Sequence, residues 1–275
     1  MTIADDIPED FYGVLHRESA GSVLDDAAEQ VRRIGYAVID SGHSTEGLAR
    51  LSKEFDLARA RYVKKYGEAD LRKLNELHTI RALLTHGDAG FIGLALNHNL
   101  LAVLGKLILG KYILNQQNGV INPPQETFSQ GMWHRDLPYQ HFVSTRPLAI
   151  NALFCVDDFT TENGATFVLP ASHKSEAFPS PAYIKRNAVQ LEAKAGSFIL
   201  LDCMLFHAGG FNNSGAARRG VNHVYTIPYF KQQINIPMNL KEESLSIEAR
   251  EILGFNCMEP VSIDSYFVQR GGKKY

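Results

Sequence analysis

The stretch Gly131-Met132-Trp133-His134-Arg135-Asp136-Leu137 decides the reading of this chain. In an extended backbone, residues two apart face the same side. His134 and Asp136 therefore direct an imidazole nitrogen and a carboxylate oxygen at one point, while Arg135 points away. Two donors hold a divalent ion loosely, so a third is expected from elsewhere in the fold. His207 is the leading candidate, because it ends the β-prone run Phe198-Ile199-Leu200-Leu201-Asp202-Cys203-Met204-Leu205-Phe206. A barrel that sets these stretches side by side completes a facial set of two histidines and one carboxylate, which leaves open positions and favours non-haem Fe(II).

Eleven residues beyond His207 lies Arg218. On a neighbouring strand its guanidinium fork matches the far carboxylate of a dicarboxylic cosubstrate with two parallel hydrogen bonds. Arg219 reads as a solvated neighbour rather than a second clamp. His173 and His223 read as satisfied core or surface histidines, and the cysteines as buried small hydrophobes.

Outward from these residues, short β-prone runs separated by Pro, Gly, Asn and Asp clusters fill the second half: 112–114, 148–156, 165–169, 198–201 and 221–229. That spacing predicts a sandwich or barrel. From Val221 the alternation of His223, Tyr225, Ile227 and Tyr229 against Val224 and Thr226 fits a strand with one face toward an interior. The first half is helical in texture. Val23, Ala27, Val31 and Ile34 recur at helical spacing, Gly35 ends the pattern, and Tyr36 to Ile39 is β-prone. Ser44 is the expected N-cap of a helix reaching about Tyr66. Further helices are expected over 70–84, 94–109 and 246–253, and the tail 271–274 is expected to be mobile. The parts are one domain: helical to about residue 110, β-rich over about 111–230, and a C-terminal extension over 231–275.

The chain has 275 residues with 45% hydrophobic and 21% charged side chains, enough for a sizeable core. Its 28 basic and 30 acidic side chains leave a net charge of −2. That balance argues against nucleic acid or an acidic membrane surface as partner and for a small-molecule ligand. Three widely spaced cysteines fit neither a disulfide framework nor a thiolate zinc site. With no basic, apolar leader at the start and no apolar stretch read as membrane-spanning, a reducing cytoplasmic setting is expected.

Two look-alikes were weighed against the metal reading. His86-Gly87-Asp88 repeats the His-x-Asp spacing but lies between helical stretches, where Gly and Asp serve turns. His134-Arg135-Asp136-Leu137 also copies the opening of a protein-kinase catalytic loop. Position 141 there would be Asn and is His, and Asp158-Phe159 is followed by Thr160 rather than glycine, so the kinase reading fails.

The chain resembles the phytanoyl-CoA dioxygenase family of Fe(II)- and 2-oxoglutarate-dependent oxygenases. The resemblance rests on Trp133 to Asp136, on Asp157-Asp158-Phe159-Thr160-Thr161-Glu162-Asn163-Gly164-Ala165 leading to Leu169-Pro170-Ala171-Ser172-His173-Lys174, and on His207, Gly210, Asn212, Ser214 and Arg218. It covers roughly 27–229. It implies a mainly β double-stranded β-helix of jelly-roll, cupin-like type with flanking helices. It also implies iron at His134, Asp136 and His207, and the distal carboxylate of 2-oxoglutarate at Arg218. Two departures stand out: Ala171 replaces the glycine usual before Ser-His, and Gly220 stands where relatives often offer a hydroxyl or amide, leaving the second partner of that carboxylate unassigned.

Gln117 and Asn122 are candidates for further cosubstrate contacts, or else turn residues. Tyr139, Gln140, His141 and Arg146, and the loop from His86 to Phe91, are candidates to face substrate. Tyr139, Tyr225, Tyr229 and Phe230 suggest a compact pocket of mixed polarity. The implied activity is a dioxygenase that hydroxylates or otherwise oxidises a small-molecule metabolite with O2, releasing succinate and CO2. A metal-dependent, cupin-like isomerase or hydrolase that does not use oxygen is the alternative, and a barrel kept only for binding is a third reading. Neither needs a dicarboxylate clamp. Asp136 disfavours a halogenase, in which a small residue replaces the carboxylate.

Overall fold

In a computed structural model the described residues are 7–8, 10–19, 21–86, 89–127 and 129–271. Gly87 and Asp88 of the second triplet, and the tail from Gly272, lie outside them. Helix α1 (Val23–Ile34) begins where Ser22 accepts a hydrogen bond from the Asp25 amide, and ends at Gly35 in the left-handed region with φ +91°. Strand β1 (Tyr36–Asp40) follows at once. Helix α2 (Thr45–Tyr66) starts on the expected Ser44 cap.

Two of the expected helices are interrupted. In place of one helix over 70–84, α3 (Glu68–Lys73) stops early, Asn75 turns with φ +58°, and the chain enters β2 (Thr79–Ile80) and a short 3-10 turn at Leu83–Thr85. Thr79 and Ile80 pair with a distant strand, a tertiary partner that helical periodicity does not register. In place of one helix over 94–109 there are α4 (Ala89–Ala95) and α5 (His98–Leu107). Asn97 makes the break: its side chain caps α5 at the Leu100 amide and donates to the Ser41 carbonyl at 2.8 Å. By length and composition the 19 residues Ala89–Leu107, of hydropathy 1.3, suffice to cross a membrane, contrary to the expectation that none would. Here they are two core helices burying Phe91, Leu94, Leu100, Val103, Leu104 and Leu107.

The remaining elements are β3 (Ile113–Asn122), β4 (Ala149–Cys155), β5 (Thr166–Val168), α6 (Pro181–Asn187), β6 (Val189–Leu191), β7 (Ser197–Asp202), β8 (His207–Ala208), β9 (Arg218–Thr226), α7 (Ile247–Ile252) and α8 (Ile263–Gly271). A six-stranded sheet of order β1-β7-β4-β9-β3-β2 faces a three-stranded sheet of order β6-β5-β8, and every pairing is antiparallel. This is the expected jelly-roll arrangement, widened by two strands from the N-terminal half. Helices cover the outer face of the large sheet over one core, in which Phe55, Phe91, Phe154, Phe198 and Tyr225 are fully buried. Each such side chain contributes roughly 1.5–3 kcal/mol. A smaller apolar cluster around Cys155, Phe159, Val168, Ile199 and Leu205 lies toward the small sheet. None of the three cysteines is in a disulfide, and Cys155 and Cys203 are buried.

Strand β9 alternates as expected. Val221 and Tyr225 join the helix-side core, and the Tyr225 hydroxyl donates to the Ala95 carbonyl at 2.7 Å. Arg218, Gly220 and Asn222 face between the sheets. Gly35 holds the join between α1 and the large sheet: a Cβ there would stand 2.5 Å from Leu205 Cδ1 and 2.8 Å from His173 Nδ1. Gly35→Ala adds that clash to a positive φ, and we expect a loss of about 3 kcal/mol, read as a lower urea midpoint at unchanged slope.

Candidate active site

The metal-ligand candidates meet through main chain. His134 and His207 form an isolated antiparallel bridge, with His134 N donating to His207 O at 2.9 Å and His207 N to His134 O at 3.1 Å. Asp136 N then donates to the Cys203 carbonyl at 3.0 Å. The two-residue spacing sets His134 and Asp136 on one side and the bridge brings His207 against them. The imidazole centroids are 4.3 Å apart, His207 Nε2 lies 3.6 Å from Asp136 Oδ1, and one donor atom from each residue falls within 4.8 Å of the others.

The ring orientations suit a cation. His134 Nδ1 lies 2.7 Å from the Met132 carbonyl and His207 Nδ1 lies 3.0 Å from that of Leu205. A carbonyl only accepts, so each Nδ1 carries the proton and each Nε2 presents its lone pair. Burial lowers the His207 pKa against the opposing pull of Asp136, which favours the neutral ligand form. Asn151 Nδ2 donates to Asp136 Oδ2 at 2.9 Å and so aims the other oxygen at the cluster. Two imidazoles and one carboxylate that converge without a countercharge fit a divalent ion.

Arg135 points away, as expected, and does more than occupy space. Its guanidinium donates to the carbonyls of Met204 at 2.7 Å, Gln140 at 2.6 Å, Glu176 at 3.1 Å, Ser172 at 3.0 Å and Ser175, and lies 4.0 Å from the Phe206 ring centroid. All five donors of the fork are used, and they tie three loops to the bridge.

A cavity of about 150 Å³ opens on the three ligand candidates and continues to Arg218. Arg218 is only 6% exposed and stacks 3.8 Å over Phe159, with its Nε 3.3 Å from the Asn163 carbonyl. No carboxylate pairs with it among the described residues, and burial lowers its pKa to about 10. Arg219, on the opposite face, is not the solvated neighbour expected: it is bidentate on Asp157 at 3.0 and 2.6 Å and also reaches Asp56 at 2.8 Å. The charge of Arg219 is matched, whereas Arg218 has no carboxylate partner among the described residues.

The other candidates divide. Asn122 lines the cavity, but its amide donates to Gly210 O at 2.9 Å and Gly164 O at 3.3 Å, leaving only its oxygen unpartnered. Gln117 does not reach the cavity; it is buried on the helix side, donating to the Phe91 carbonyl at 2.7 Å and lying 2.9 Å from His223 Nε2. Over the regular run from Gln116 to Asn122, alternation puts Gln116 on the cavity face with Val120 and Asn122, and Gln117 on the other. Tyr139, Gln140 and Arg146 do not line the cavity either. Tyr139 is exposed against Phe142, Gln140 lends its carbonyl to Arg135, and Arg146 lines a separate crevice with His173 and Asp202. The expected aromatic pocket is absent there too, since Tyr225 is in the core and Tyr229 is 96% exposed.

Burial lowers the pKa of His173 and His223 to about 4, and both are core histidines. At Gly220 an added Cβ would meet Leu153 and Phe154 at 3.1–3.2 Å, so a side chain there would require its neighbours to shift; Thr166 on β5 is the hydroxyl-bearing residue of the lining. Asn151, Gln116, Asn222 and Gln233 are cavity residues that the sequence does not flag, because single amides carry no spacing signal.

Residues 31–220 match the family of phytanoyl-CoA dioxygenase (PhyH). The chain belongs to this family. An uncharacterised protein of Mycobacterium tuberculosis, Rv1501, is 29% identical over 252 residues, covering 89% of this chain and 91% of that one. Dioxygenase olcK of Penicillium canescens is 27% identical over 250 residues, covering 84% and 80%. Among solved structures, EctD from S. alaskensis with bound Fe superposes with a TM-score of 0.64 at 23% identity over 78% of this chain and 80% of that one, a likeness of fold.

Asn151→Leu removes the hydrogen bond that orients Asp136 but none of the three ligand candidates. We expect a 10- to 100-fold loss of divalent-metal affinity with unchanged circular dichroism, measured by competition with a chromophoric chelator.

Proposed function

We propose that this member of the family is an Fe(II)- and 2-oxoglutarate-dependent dioxygenase that hydroxylates, or otherwise oxidises, a small-molecule metabolite and releases succinate and CO2. The observation that carries the reading is a buried guanidinium without a carboxylate partner in the same cavity as a two-histidine, one-carboxylate cluster. A cupin-like isomerase or hydrolase has use for the second feature but none for the first.

His134, Asp136 and His207 would hold the iron, which together with 2-oxoglutarate supplies the oxidising power of O2. Arg218 is assigned the distal carboxylate of the cosubstrate, and its stacking on Phe159 holds the fork in one orientation before the anion arrives. Thr166 is the hydroxyl proposed beside it. Leu153, Phe159 and Leu201 line the cavity between polar groups and limit the water that could compete for that carboxylate. Asn151 and the carbonyls of Met132 and Leu205 keep the ligands in the productive orientation.

Anaerobic addition of Fe(II) and 2-oxoglutarate should give the visible charge-transfer band of the chelate. Intact protein that binds metal yet shows no band would transfer the case to the oxygen-independent reading. His134→Ala and Asp136→Ala should each abolish metal-dependent succinate formation.

Arg218→Met separates clamp from fold. An unpaired buried charge costs stability, so the variant without ligand should melt no lower than wild type. Its apparent affinity for 2-oxoglutarate should fall about 100-fold with Fe(II) affinity unchanged. Equal loss of both would contradict the assignment.

A further inference from the structure

The cavity has a polar end that the assigned iron and cosubstrate residues leave unused. Asn222 faces it from β9, four residues beyond Arg218, a separation of about 13 Å at the usual strand rise. Asn118 lies opposite Asn222 on β3, and Gln116 and Gln233 line the same end.

The hydrogen bonds among these amides are directional. Asn118 Nδ2 donates to Gln233 Oε1 at 3.1 Å and Gln116 Oε1 at 3.4 Å, while its own oxygen accepts from the Ala82 amide at 3.1 Å. Arg81 also donates to Gln233 Oε1, at 3.3 Å. Both glutamine carbonyls therefore accept within the protein, and among the described residues no hydrogen bond engages their amide N–H groups, which remain available to a ligand. Asn222 Oδ1 is the converse, a buried acceptor with no donor. The cation at this end, Arg81, is neutralised by a bidentate pair with Glu76 at 2.9 and 2.6 Å.

We infer that this end receives the substrate, and that the part it receives is uncharged and hydroxyl-bearing; the inference rests on the dioxygenase reading above. A hydroxyl both donates and accepts, so it satisfies Asn222 Oδ1 and the glutamine N–H groups together. An anion would meet Asn222 with no proton to give, and an ammonium would meet the amide N–H groups. Either charge would be desolvated without an opposite charge to offset it, because Arg81 is already paired with Glu76. An amide left unsatisfied in turn rejects analogues that lack the hydroxyl.

The test is ligand-observed NMR on the full chain with 2-oxoglutarate and Zn(II) as a diamagnetic stand-in, so that Arg218 is already occupied. The probes are myo-inositol and methyl glucoside, with glucose 6-phosphate and gluconate as charged counterparts. The neutral probes should bind at least about tenfold more tightly than the anions, and Asn222→Leu should weaken them by about tenfold. Asn222→Asp keeps the side-chain shape and should shift preference toward glucosamine. Equal or tighter binding of the anions, no binding of the neutral probes, or indifference to both variants would overturn the inference. Separate titrations of Zn(II) and of 2-oxoglutarate without polyol distinguish the two failures: if neither binds, the dioxygenase reading fails and this inference with it, whereas if both bind and the polyols do not, only this inference fails.

Discussion

Two main-chain hydrogen bonds between His134 and His207 are the constraint on which the site depends. They join residues 73 apart in sequence while leaving both imidazoles free, because the bridge consumes only backbone donors and acceptors. Strand β8 is two residues long and would hold such a bridge poorly by itself. Arg135 supplies the missing rigidity, fastening five carbonyls of the surrounding loops. Losing that side chain would strand several buried acceptors at once, which is more costly than losing any single hydrogen bond. The residue between the two ligand candidates of the motif is thus a structural pin, and its polarity serves the backbone rather than the ligand.

A second constraint is electrostatic. Arg218 and Arg219 are adjacent, yet strand alternation sends them to environments of opposite character. Arg219 joins Asp157 and Asp56 and ties β9 to α2. Arg218 enters the cavity with an aromatic ring beneath it and no carboxylate paired with it among the described residues. An unpaired buried charge carries a standing cost in stability. Within one cavity the polar groups are segregated: a carboxylate-bearing cluster, a guanidinium, and a set of neutral amides.

What the sequence by itself determined was local. Ser44 starts α2 at the position its capping chemistry predicts, and Gly35 ends α1 because a left-handed residue is needed there. The facing of His134 and Asp136, and the opposite facing of Arg135, follow from backbone alternation over three residues. Tertiary structure decided everything that depends on a partner far along the chain. Thr79 to Ile80, inside an expected helix, became a strand of the large sheet by pairing with β3, and the β-prone run from Tyr36 found its partner in β7. Asn151 met Asp136 because register set β4 beside it. Periodicity reports which residues share a face; only hydrogen-bond register across strands reports which face that is, and against what it closes.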